Sequence, residues 1–463
     1  MNIKQDTICA IATAPGGAIG IIRTSGPEAI IATERLFTPH THRNIPLSKR
    51  KSYTLNFGQI LNEDGKVLDE VLVSLFRAPH SYTGEDATEI SCHASPFILR
   101  QVMKLLINNG CRVAAPGEFT QRAFLNGKLD LSQAEAVADV IAADSAAAHR
   151  LAMNQMRGGF SRELAHLRDK LLQLTSLMEL ELDFSDHEDL EFADRSELQA
   201  VAAQIEAAIS HLVQSFSVGN VLKNGIPVAI IGETNAGKST LLNTLLHEEK
   251  AIVSDIHGTT RDVIEDTINI NGTLFRFIDT AGIRETQDTV ESMGIERSFQ
   301  KLDQARIVLW VIDSVHASEE IAHLAPLLLP HCEGKELLLV YNKADVTTHA
   351  VTPPSLSMPY RAVSVSAKVG IGIDRLEGLL IDMAALPSLA VDDVVVTNMR
   401  HYEALTRALD SIHRVQSGLQ THLSGDFIAQ DLRECLFHLG DIIGEVTTDE
   451  VLGNVFRHFC IGK

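Results

Sequence analysis

The sequence predicts a multidomain α/β protein, in which an α+β domain comes first and an α/β domain is inserted between the two halves of a helical domain. Its 463 residues, at roughly 150 per domain, suggest about three domains. Short β-branched runs dominate residues 1–120, and strand-like and helix-like segments alternate over residues 218–386. Helix-favouring sequence fills residues 121–217 and 387–463. These differences in composition and periodicity define the predicted domains and their boundaries.

The α+β domain is predicted from short apolar runs bounded by turn residues. We expect strands at residues 7–12, 19–23 and 67–76, because these runs are rich in β-branched residues and are flanked by Gly, Pro or polar turns. Helices are expected near residues 26–37 and 95–109.

The helical domain is predicted from a change to Ala-rich sequence. Ser132 and Glu135 have the spacing of a capping box, in which the serine oxygen accepts from the third helical amide and the glutamate reaches back. A helix start is therefore expected at Ser132. Helical periodicity continues to about Val218, and the Asn-Gly-Ile-Pro segment at 224–227 ends it.

The inserted α/β domain is predicted from four apolar runs that alternate with helical segments. These runs are residues 228–231, 274–278, 307–312 and 337–341. Such alternation is typical of a parallel or mostly parallel sheet with helical crossovers.

The charge composition excludes some classes of function. Forty Lys and Arg against sixty Asp and Glu give a formal net charge of −20, which argues against a chain that coats nucleic acid or membrane through its overall charge. The charge is uneven, since residues 1–130 carry fourteen basic and twelve acidic side chains. Nine carboxylates between Glu179 and Glu197 are interpreted as a solvated helix end or loop in preference to a cation site.

Cysteine usage and hydropathy predict the compartment. The six cysteines lie far apart without a Cys-x-x-Cys pair, so neither a disulfide framework nor a zinc site is expected. No apolar stretch approaches the roughly 20 residues of a membrane span, and the N-terminus lacks the pattern of a secretory signal. We therefore expect a soluble cytoplasmic protein with no membrane partner.

The strongest chemical signal is the segment Gly-Glu-Thr-Asn-Ala-Gly-Lys-Ser at residues 232–239, which follows a predicted strand and precedes an apolar helix. Glycines in such a loop let backbone amides approach phosphate oxygens. Lys238 would reach the β- and γ-phosphates, and the Ser239 hydroxyl would bind Mg²⁺. This segment predicts a nucleotide site.

Two downstream segments extend the phosphate and metal part of this site. Thr260, within Gly-Thr-Thr-Arg-Asp, would supply a second Mg²⁺ hydroxyl. Asp279 and Gly282, within Asp-Thr-Ala-Gly, follow a predicted strand, which would bring the carboxylate near the metal and the glycine amide near the γ-phosphate.

Two further segments predict the base. The Asp345 carboxylate, in Asn-Lys-Ala-Asp at 342–345, can accept from N1–H and from the exocyclic amine of guanine, an arrangement that adenine does not offer. Ser366-Ala367-Lys368 would complete the base pocket. The ordered set is similar to that of the translation-factor-like GTPases, so the nucleotide is predicted to be GTP. The predicted GTP-binding residues are Asn235, Ala236, Gly237, Lys238, Ser239, Thr240, Ser254, Asp255, Ile256, His257, Gly258, Thr259, Thr260, Asp279, Thr280, Ala281, Gly282, Asn342, Lys343, Asp345, Ser366, Ala367 and Lys368.

The residue after Asp-Thr-Ala-Gly is Ile283, whereas Ras-like GTPases place a glutamine there to orient the attacking water. The isoleucine side chain can neither donate nor accept a hydrogen bond. Water positioning and charge neutralisation would then come from Glu285, Asp288 or Glu291, from an arginine of a partner, or from a bound cation. A slow GTP-binding switch without efficient hydrolysis is the alternative.

Segments spread over the whole chain resemble the MnmE (TrmE) family of tRNA-modification GTPases. They are residues 15–26, 81–86, 112–131 and 258–262 and the terminal Phe-Cys-Ile-Gly-Lys, and together they are more specific than a phosphate-binding loop alone. Two departures are Glu233-Thr234, where the family has Arg-Pro, and Thr24, where it has an apolar residue. The first leaves the phosphate-binding positions unchanged, and we expect neither to abolish function.

The resemblance implies a folate site. The N-terminal domain would have the tetrahydrofolate-binding fold of aminomethyltransferases, form a homodimer and bind 5-formyl- or methylene-tetrahydrofolate. Arg23, Glu89 and Lys128 match the folate-contacting positions of the family, and terminal Lys463 is a further candidate.

The resemblance also implies a reaction and a partner. Cys460 matches the essential cysteine of the family. Family members form a heterotetramer with MnmG, which carries FAD and uses NADH. Together they add an aminomethyl or carboxymethylaminomethyl group to C5 of the wobble uridine (U34) of certain tRNAs. The one-carbon unit comes from the folate, and GTP hydrolysis is required.

Finally, the resemblance offers a reason for Ile283. Family GTPase domains bind K⁺ where other GTPases place an arginine. Asn235 matches the K⁺-binding asparagine, with Ser254, Ile256 and Thr259 completing the site. Glu291 matches the catalytic glutamate that orients the attacking water.

The GTPase motifs alone also permit a regulatory or ribosome-assembly GTPase switch. The N-terminal segments and the Cys460 terminus favour the tRNA-modifying enzyme. The basic stretch 43–51 is interpreted as an exposed loop, with contact to tRNA phosphates as the alternative.

Overall fold

The structure is a computed structural model of the chain, and its description covers the following residues: 6–14, 16–41, 44–184, 195–250, 266–278, 302–347, 354–384, 394–421, 423–446, 448–457, 459 and 461–462. The chain forms two compact units. The first unit comprises Met1–Ile141, Met153–Ala207 and Ala404–Lys463, and the second comprises Ala142–Ala152 and Ala208–Glu403.

A seven-stranded sheet forms the N-terminal part of the first unit. Across the sheet, the strands are β3 (Phe37–Pro39), β4 (Thr54–Leu61), β5 (Val67–Phe76), β6 (Ala87–His93), β2 (Ile19–Ser25), β1 (Thr7–Ile11) and β7 (Cys111–Val113). Only β1 and β7 pair in parallel. Buried Ile22, Ile90 and Leu99 belong to one core between the sheet and helices α1 (Ala29–Leu36) and α2 (Pro96–Asn108). The predicted strands and helices of this region are confirmed.

Helices follow the sheet in the chain. They are α3 (Glu118–Leu125), α4 (Leu131–Ala142), α5 (Ala146–Met156), α6 (Gly159–Phe184) and α7 (Arg195–Asn224). Helix α7 extends beyond the predicted end of helical periodicity, and Gly225, with φ of +85°, ends it before the next strand.

The predicted capping box at Ser132 and Glu135 is wrong, because α4 begins one residue earlier. Asp130 Oδ1 accepts from the Gln133 amide at 2.9 Å, and Gln133 Oε1 accepts from the Asp130 amide at 3.0 Å. The Ser132 hydroxyl instead donates to Asp130 Oδ1 at 2.8 Å. The spacing of three residues also fits the Asp–Gln pair, and a carboxylate is as good a cap as a serine.

A six-stranded, mostly parallel sheet forms the centre of the second unit. Across the sheet, the strands are β13 (Arg361–Ser364), β12 (Glu336–Asn342), β11 (Ile307–Asp313), β8 (Ile226–Ile231), β10 (Thr273–Ile278) and β9 (Asp266–Ile270). The edge strand β9 is antiparallel to β10, and the other pairs are parallel. The four predicted strands are confirmed, each slightly longer than expected.

Helices cover both faces of this sheet. Helices α8 (Lys238–Lys250) and α10 (Ile373–Ala384) belong to the core on one face, and α9 (Ala317–Leu328) belongs to the core on the other. In such a sheet, ligands bind at the carboxyl ends of the parallel strands. The loops after β8, β11, β12 and β13 are therefore where a site is expected.

The chain ends in helices α11 (Met399–Gln420), α12 (Gly425–Ile443) and α13 (Asp449–Arg457). Leu131 and Ala134 of α4 share a buried cluster with Leu452 and Phe456 of α13 and with Phe459. Helical sequence on the two sides of the α/β region therefore packs together, and the multidomain α/β fold class is confirmed. The boundaries at residues 120, 217 and 386 stay predictions. Among the helices that the structure describes, none has the length and apolar character needed to cross a membrane.

Candidate functional site

The candidate nucleotide site begins where β8 ends. A Cβ at Gly232 would lie 2.1 Å from the Val311 carbonyl oxygen of the neighbouring strand, so glycine is required for the chain to leave the sheet here. The loop adopts a left-handed conformation at Asn235, with φ of +68°, and enters α8 at Lys238. Thr234 and Asn235 are exposed at its apex. The loop thus has the strand–loop–helix setting predicted for a phosphate-binding site.

The lysine of this loop is folded back on it. Lys238 Nζ donates to the carbonyl oxygens of Gly232 at 2.6 Å and Glu233 at 2.8 Å. Burial lowers the pKa of Lys238, while the nearby Glu320 and Glu233 carboxylates act in the opposite direction. Phosphate oxygens entering the loop would offer the ammonium group charged acceptors, which form stronger hydrogen bonds than these carbonyls.

Asn342, at the end of β12, joins the phosphate loop to the predicted base loop. Its Nδ2 donates to the Ala236 carbonyl at 2.9 Å, and its Oδ1 accepts from the Ala367 amide at 3.0 Å. The side chain is buried, and a Cβ at Gly237 would lie 2.1 Å from Nδ2. One amide therefore fixes the positions of both loops.

The predicted guanine-binding carboxylate is held by the base loop. The Ser366 hydroxyl donates to Asp345 Oδ1 at 2.6 Å, and the Ala344 amide donates to the Val365 carbonyl at 3.0 Å. Asp345 Oδ2 has no hydrogen-bond partner among the described residues. Lys368 is exposed at the rim of this loop. A carboxylate fixed through one oxygen retains acceptor capacity for a base.

Two carboxylates of the site were missed by sequence reasoning. Asp313, at the end of β11, pairs with Lys343 Nζ at 2.6 Å. Burial acts to raise the pKa of Asp313, but hydrogen bonds from Lys343 and the Val315 amide outweigh it and hold the pKa below its ordinary value. Glu320 is buried, accepts from the Asp313 amide at 3.1 Å, and has a pKa raised by burial. A polar residue directly after the apolar run 307–312 was the available signal for Asp313.

A cavity of about 520 Å³ lies beside the phosphate loop. Its wall includes Glu233, whose Oε1 is 3.1 Å from His323 Nδ1. The lining residues are Glu233, Thr234, Asn235, Asp313, His316, Glu319, Glu320 and His323. Carboxylates near a phosphate loop repel a polyphosphate, so cations must offset them when a nucleotide binds.

The structure brings together only part of the predicted GTP site. Residues 235–240, 342–345 and 366–368 lie at the carboxyl ends of β8, β12 and β13. The remaining predicted residues lie outside the described residues: Ser254, Asp255, Ile256, His257, Gly258, Thr259, Thr260, Asp279, Thr280, Ala281, Gly282 and Glu291.

The structure brings together only two of the predicted folate-contacting residues of the N-terminal domain. Arg23 on β2 and Glu89 on β6 are partners in the strand register, and Arg23 Nε donates to Glu89 Oε1 at 2.8 Å. Lys128, after α3, instead donates to the Pro79 carbonyl at 3.1 Å. None of the described hydrogen bonds joins Lys128 to the Arg23–Glu89 pair.

Cys460 and Lys463 lie outside the described residues, but their neighbours are placed. A Cβ at Gly462 would lie 2.7 Å from the Ile11 carbonyl oxygen at the end of β1. A Cβ at Gly117, before α3, would lie 2.8 Å from the Phe456 carbonyl oxygen. Residues on both sides of Cys460 therefore pack closely against the N-terminal domain.

The phosphate loop, the Asn342 bridge and the held Asp345 at one edge of a mostly parallel sheet define a P-loop protein of the GTPase class, here with a sheet domain and helices in addition. Comparison with protein families narrows this assignment to one family. Residues 7–128 match the model of the GTP-binding protein TrmE N-terminus, and residues 131–460 match that of the MnmE helical domain. The chain belongs to the MnmE (TrmE) family of tRNA modification GTPases, which confirms the resemblance seen in the sequence.

Similar proteins cover the chain from end to end. A tRNA modification GTPase MnmE of Bacteroides thetaiotaomicron is 64% identical over 468 residues, covering 100% of both chains. The protein of that name from Flavobacterium johnsoniae is 51% identical over 476 residues, again covering 100% of both. A solved GTP-binding protein of Sulfolobus solfataricus in complex with GDP is 18% identical, covers 48% of this chain and 68% of its own, and has a TM-score of 0.26, which supports no structural parallel.

Proposed function

We propose that this protein is a K⁺-activated GTPase that acts in tRNA modification. The observation that carries the proposal is the Asn342 side chain, which joins the phosphate loop at Ala236 to the base loop at Ala367. A site in which one buried amide fixes both loops is suited to a ligand that has both a phosphate chain and a base. The names of the full-length relatives supply the link to tRNA.

Guanine selectivity is proposed for Asp345. The Ser366 hydroxyl holds one carboxylate oxygen. The carboxylate can accept from guanine N1–H and from the exocyclic amine, whereas adenine offers an acceptor at N1 and no amine at C2. Adenine nucleotides would leave this carboxylate without the two donors that guanine offers, so they should bind more weakly.

Two kinds of cation are proposed at the phosphates. Ser239 with Thr260 would hold Mg²⁺, and Asn235 with Ser254, Ile256 and Thr259 would hold K⁺. The donors are hydroxyl, amide and carbonyl oxygens, which suit these hard cations. The ions would neutralise charge on the phosphate oxygens during hydrolysis. Within the described residues, Asn235 supports the assignment, because it is exposed at the loop apex in a left-handed conformation.

Glu291 is proposed to orient the attacking water, since Ile283 cannot. The cation dependence has a direct test: GTP turnover measured in KCl and in NaCl at equal ionic strength. We expect faster turnover in KCl, and equal rates would contradict the K⁺ mechanism. An Asn235→Ala variant should lose the difference between the two salts.

The modification chemistry is proposed for the N-terminal domain and the C-terminus. Arg23, Glu89, Lys128 and Lys463 would contact 5-formyl- or methylene-tetrahydrofolate, which supplies the one-carbon unit. Cys460 would act in the transfer to C5 of U34 in certain tRNAs. The close approach of Gly462 to the end of β1 and of Phe456 to Gly117 supports a shared site. A homodimer in a heterotetramer with MnmG, which supplies FAD and NADH chemistry, is the proposed assembly, in the cytoplasm.

Mass spectrometry of tRNA nucleosides from a deletion strain tests the function. The strain should lack the modified wobble uridine, and this chain should restore it. Cys460→Ser should keep GTP turnover and fail to restore the modification, whereas Lys238→Ala should lose both. An unchanged wobble uridine in the deletion strain would favour the alternative, a regulatory or ribosome-assembly switch.

A further inference from the structure

The ion pair between Asp313 and Lys343 lies at the carboxyl end of the six-stranded sheet, and no step proposed above uses it. Asp313 ends β11 and Lys343 follows β12, and the two strands pair in parallel with Asp313 beside Asn342. Lys343 Nζ donates to Asp313 Oδ2 at 2.6 Å, and the Asp313 side chain is 12% exposed. Ligands bind at this edge of such a sheet, so the pair is placed where it can act on one.

The Asp313 carboxylate is fixed from several directions. Its Oδ1 accepts from the Val315 amide at 3.0 Å, and the Asp313 amide donates to Oε2 of the buried Glu320 at 3.1 Å. Burial acts to raise the pKa of Asp313, but the hydrogen bonds from Lys343 and Val315 hold the pKa below its ordinary value. The carboxylate is therefore charged at neutral pH, and an ammonium group bound to it has a defined position.

The backbone of Lys343 is in an unusual conformation. Its φ of +62° lies in the left-handed region, which few residues other than glycine adopt and which is found often at ligand sites. Its side chain is 38% exposed although the ammonium group is paired. The four-carbon stem of a lysine is apolar, so this side chain can offer a surface to an apolar group of a ligand.

The pair spans the interval between the two loops of the nucleotide site. Strand β11 lies between β8, which leads to the phosphate loop, and β12, which leads to Asp345. Asp313 also lines the cavity beside the phosphate loop. The lysine stem therefore runs from the turn that carries Asp345 toward the phosphate loop. A nucleotide with its base at Asp345 and its phosphates at Lys238 must cross this region.

The pair is not needed to join the two strands. The Ser314 amide and hydroxyl both donate to the Asn342 carbonyl, at 3.0 and 2.5 Å. The strands also pair along their entire length, up to Asp313 and Asn342 themselves. These contacts keep the strand ends together when the ion pair is lost, so the effect of losing the pair should fall on the ligand.

We propose that Asp313 is a positioning residue for the guanine nucleotide: it holds the Lys343 ammonium group so that the lysine stem lies beside Asp345 and packs on the face of the base. Asp345 reads the edge of the base, and Lys343 supplies an apolar surface and a nearby positive charge for its aromatic face. The inference rests on the proposed guanine site and adds the residue that orders its lysine before the nucleotide arrives. Such preorganisation reduces the entropy lost on binding.

The test is displacement of a fluorescent GDP analogue by GDP on the full-length protein, together with steady-state GTP turnover in KCl. Asp313→Ala should lower the GDP affinity and raise the KM for GTP by about 10- to 30-fold, the equivalent of about 1.5–2 kcal/mol for ordering one free lysine side chain. The kcat should stay within about twofold of the wild type, because contacts to the base stabilise bound GTP and the transition state alike.

The sign of the effect separates positioning from simple electrostatics. Asp313 is one of the carboxylates beside the phosphate loop, so its charge repels phosphates. If repulsion were its main effect, removing the carboxylate would strengthen nucleotide binding. Weaker GDP binding by Asp313→Ala supports the proposal, and equal or tighter binding would overturn it.

A double-mutant cycle tests whether Asp313 acts through Lys343. Lys343→Met keeps an unbranched apolar side chain without the ammonium group and should weaken GDP binding to an extent similar to Asp313→Ala. The double variant should show no further loss, since either change alone frees the side chain. Losses that multiply in the double variant would mean that the two residues act independently, which contradicts the proposal.

A matched control and a folding check complete the experiment. Glu336→Ala removes an exposed carboxylate at the opposite end of β12 and should bind GDP like the wild type. If thermal unfolding shows that Asp313→Ala does not fold, Lys343→Met decides alone, and wild-type GDP affinity in that variant would refute the proposal. A wild type that fails to bind GDP would overturn the proposed guanine site, whereas normal wild-type binding with unchanged variants would refute the role of Asp313 alone.

Discussion

Replacing Asn342 by alanine tests whether the bridge between the two loops controls nucleotide binding. The substitution removes the Nδ2 bond to the Ala236 carbonyl and the Oδ1 bond from the Ala367 amide, at 2.9 and 3.0 Å. It leaves Asp345 and Lys238 unchanged. The phosphate loop and the base loop would then be held separately.

The magnitude follows from the burial of the bridge. Asn342 is 3% exposed, so both backbone partners lose a hydrogen bond in a place with little access to water. An unsatisfied buried group costs about 1–3 kcal/mol, and two such groups in loops that can partly relax cost about 2–4 kcal/mol. The free protein can let the two loops relax, whereas a bound nucleotide needs both in place, so this cost sets the upper limit of the loss of nucleotide affinity, about 30- to 700-fold.

Displacement of a fluorescent GDP analogue measures the effect. Selectivity for guanine over adenine should be retained by Asn342→Ala, because Asp345 keeps its contact with Ser366. Asn224→Ala, at the exposed end of α7, is the matched control and should bind GDP like the wild type. A GDP affinity of Asn342→Ala within about threefold of the wild type, less than 1 kcal/mol, would refute the role of the bridge.

Close contacts in the structure lead to further predictions. In Gly237→Ala the new Cβ would lie 2.1 Å from Asn342 Nδ2 in a residue with φ of +95°, so nucleotide binding should be lost in the same assay, whereas Gly334→Ala, with open space around it, should bind normally. Arg122 is 4% exposed on its side chain and pairs with Asp6 at 2.7 Å, so Arg122→Met should destabilise the first unit by about 3 kcal/mol or more, measured by thermal unfolding. Hydrogen bonds from Arg112 and then Arg122 hold the pKa of Asp6 below its ordinary value. Its contribution to stability is therefore full above that ordinary value near pH 4 and is lost as the pH falls below it, and Arg122→Met should show less of this acid-dependent loss.

The strands of the second unit were predictable because a strand that is buried on both faces has a continuous apolar sequence. Strand β11 is buried along its entire length, so its sequence is a continuous apolar run with a polar residue only at its end. The loops that follow such strands meet at one edge of a parallel sheet, which is why Lys238, Asn342 and Ser366 could be assigned to one site from sequence order alone. The apolar runs and the topology of a parallel sheet therefore both predict the same position for the nucleotide site.

Pairings between distant segments were not predictable in this way. Arg23 and Glu89 are 66 positions apart, and only the antiparallel register of β2 with β6 makes them neighbours. The contact between Lys343 and Asp313 likewise depends on the pairing of β12 with β11. The wrong capping prediction at Ser132 has a different cause. Both Asp130–Gln133 and Ser132–Glu135 have the spacing of a capping box, so the spacing alone does not choose between them. The helix begins at Leu131, which is buried in a cluster with the C-terminal helices, and this start selects the Asp130–Gln133 pair.

The carboxylates beside the phosphate loop should make GTP turnover respond to cations in a way that the chain's net charge of −20 does not by itself predict. Glu233, Glu320 and Asp313 line the adjoining cavity, so bound cations offset negative charge there and KCl should favour GTP turnover. Cations that act only by screening would give the same turnover in KCl and NaCl at equal ionic strength, whereas a cation bound at Asn235 would give different rates in the two salts.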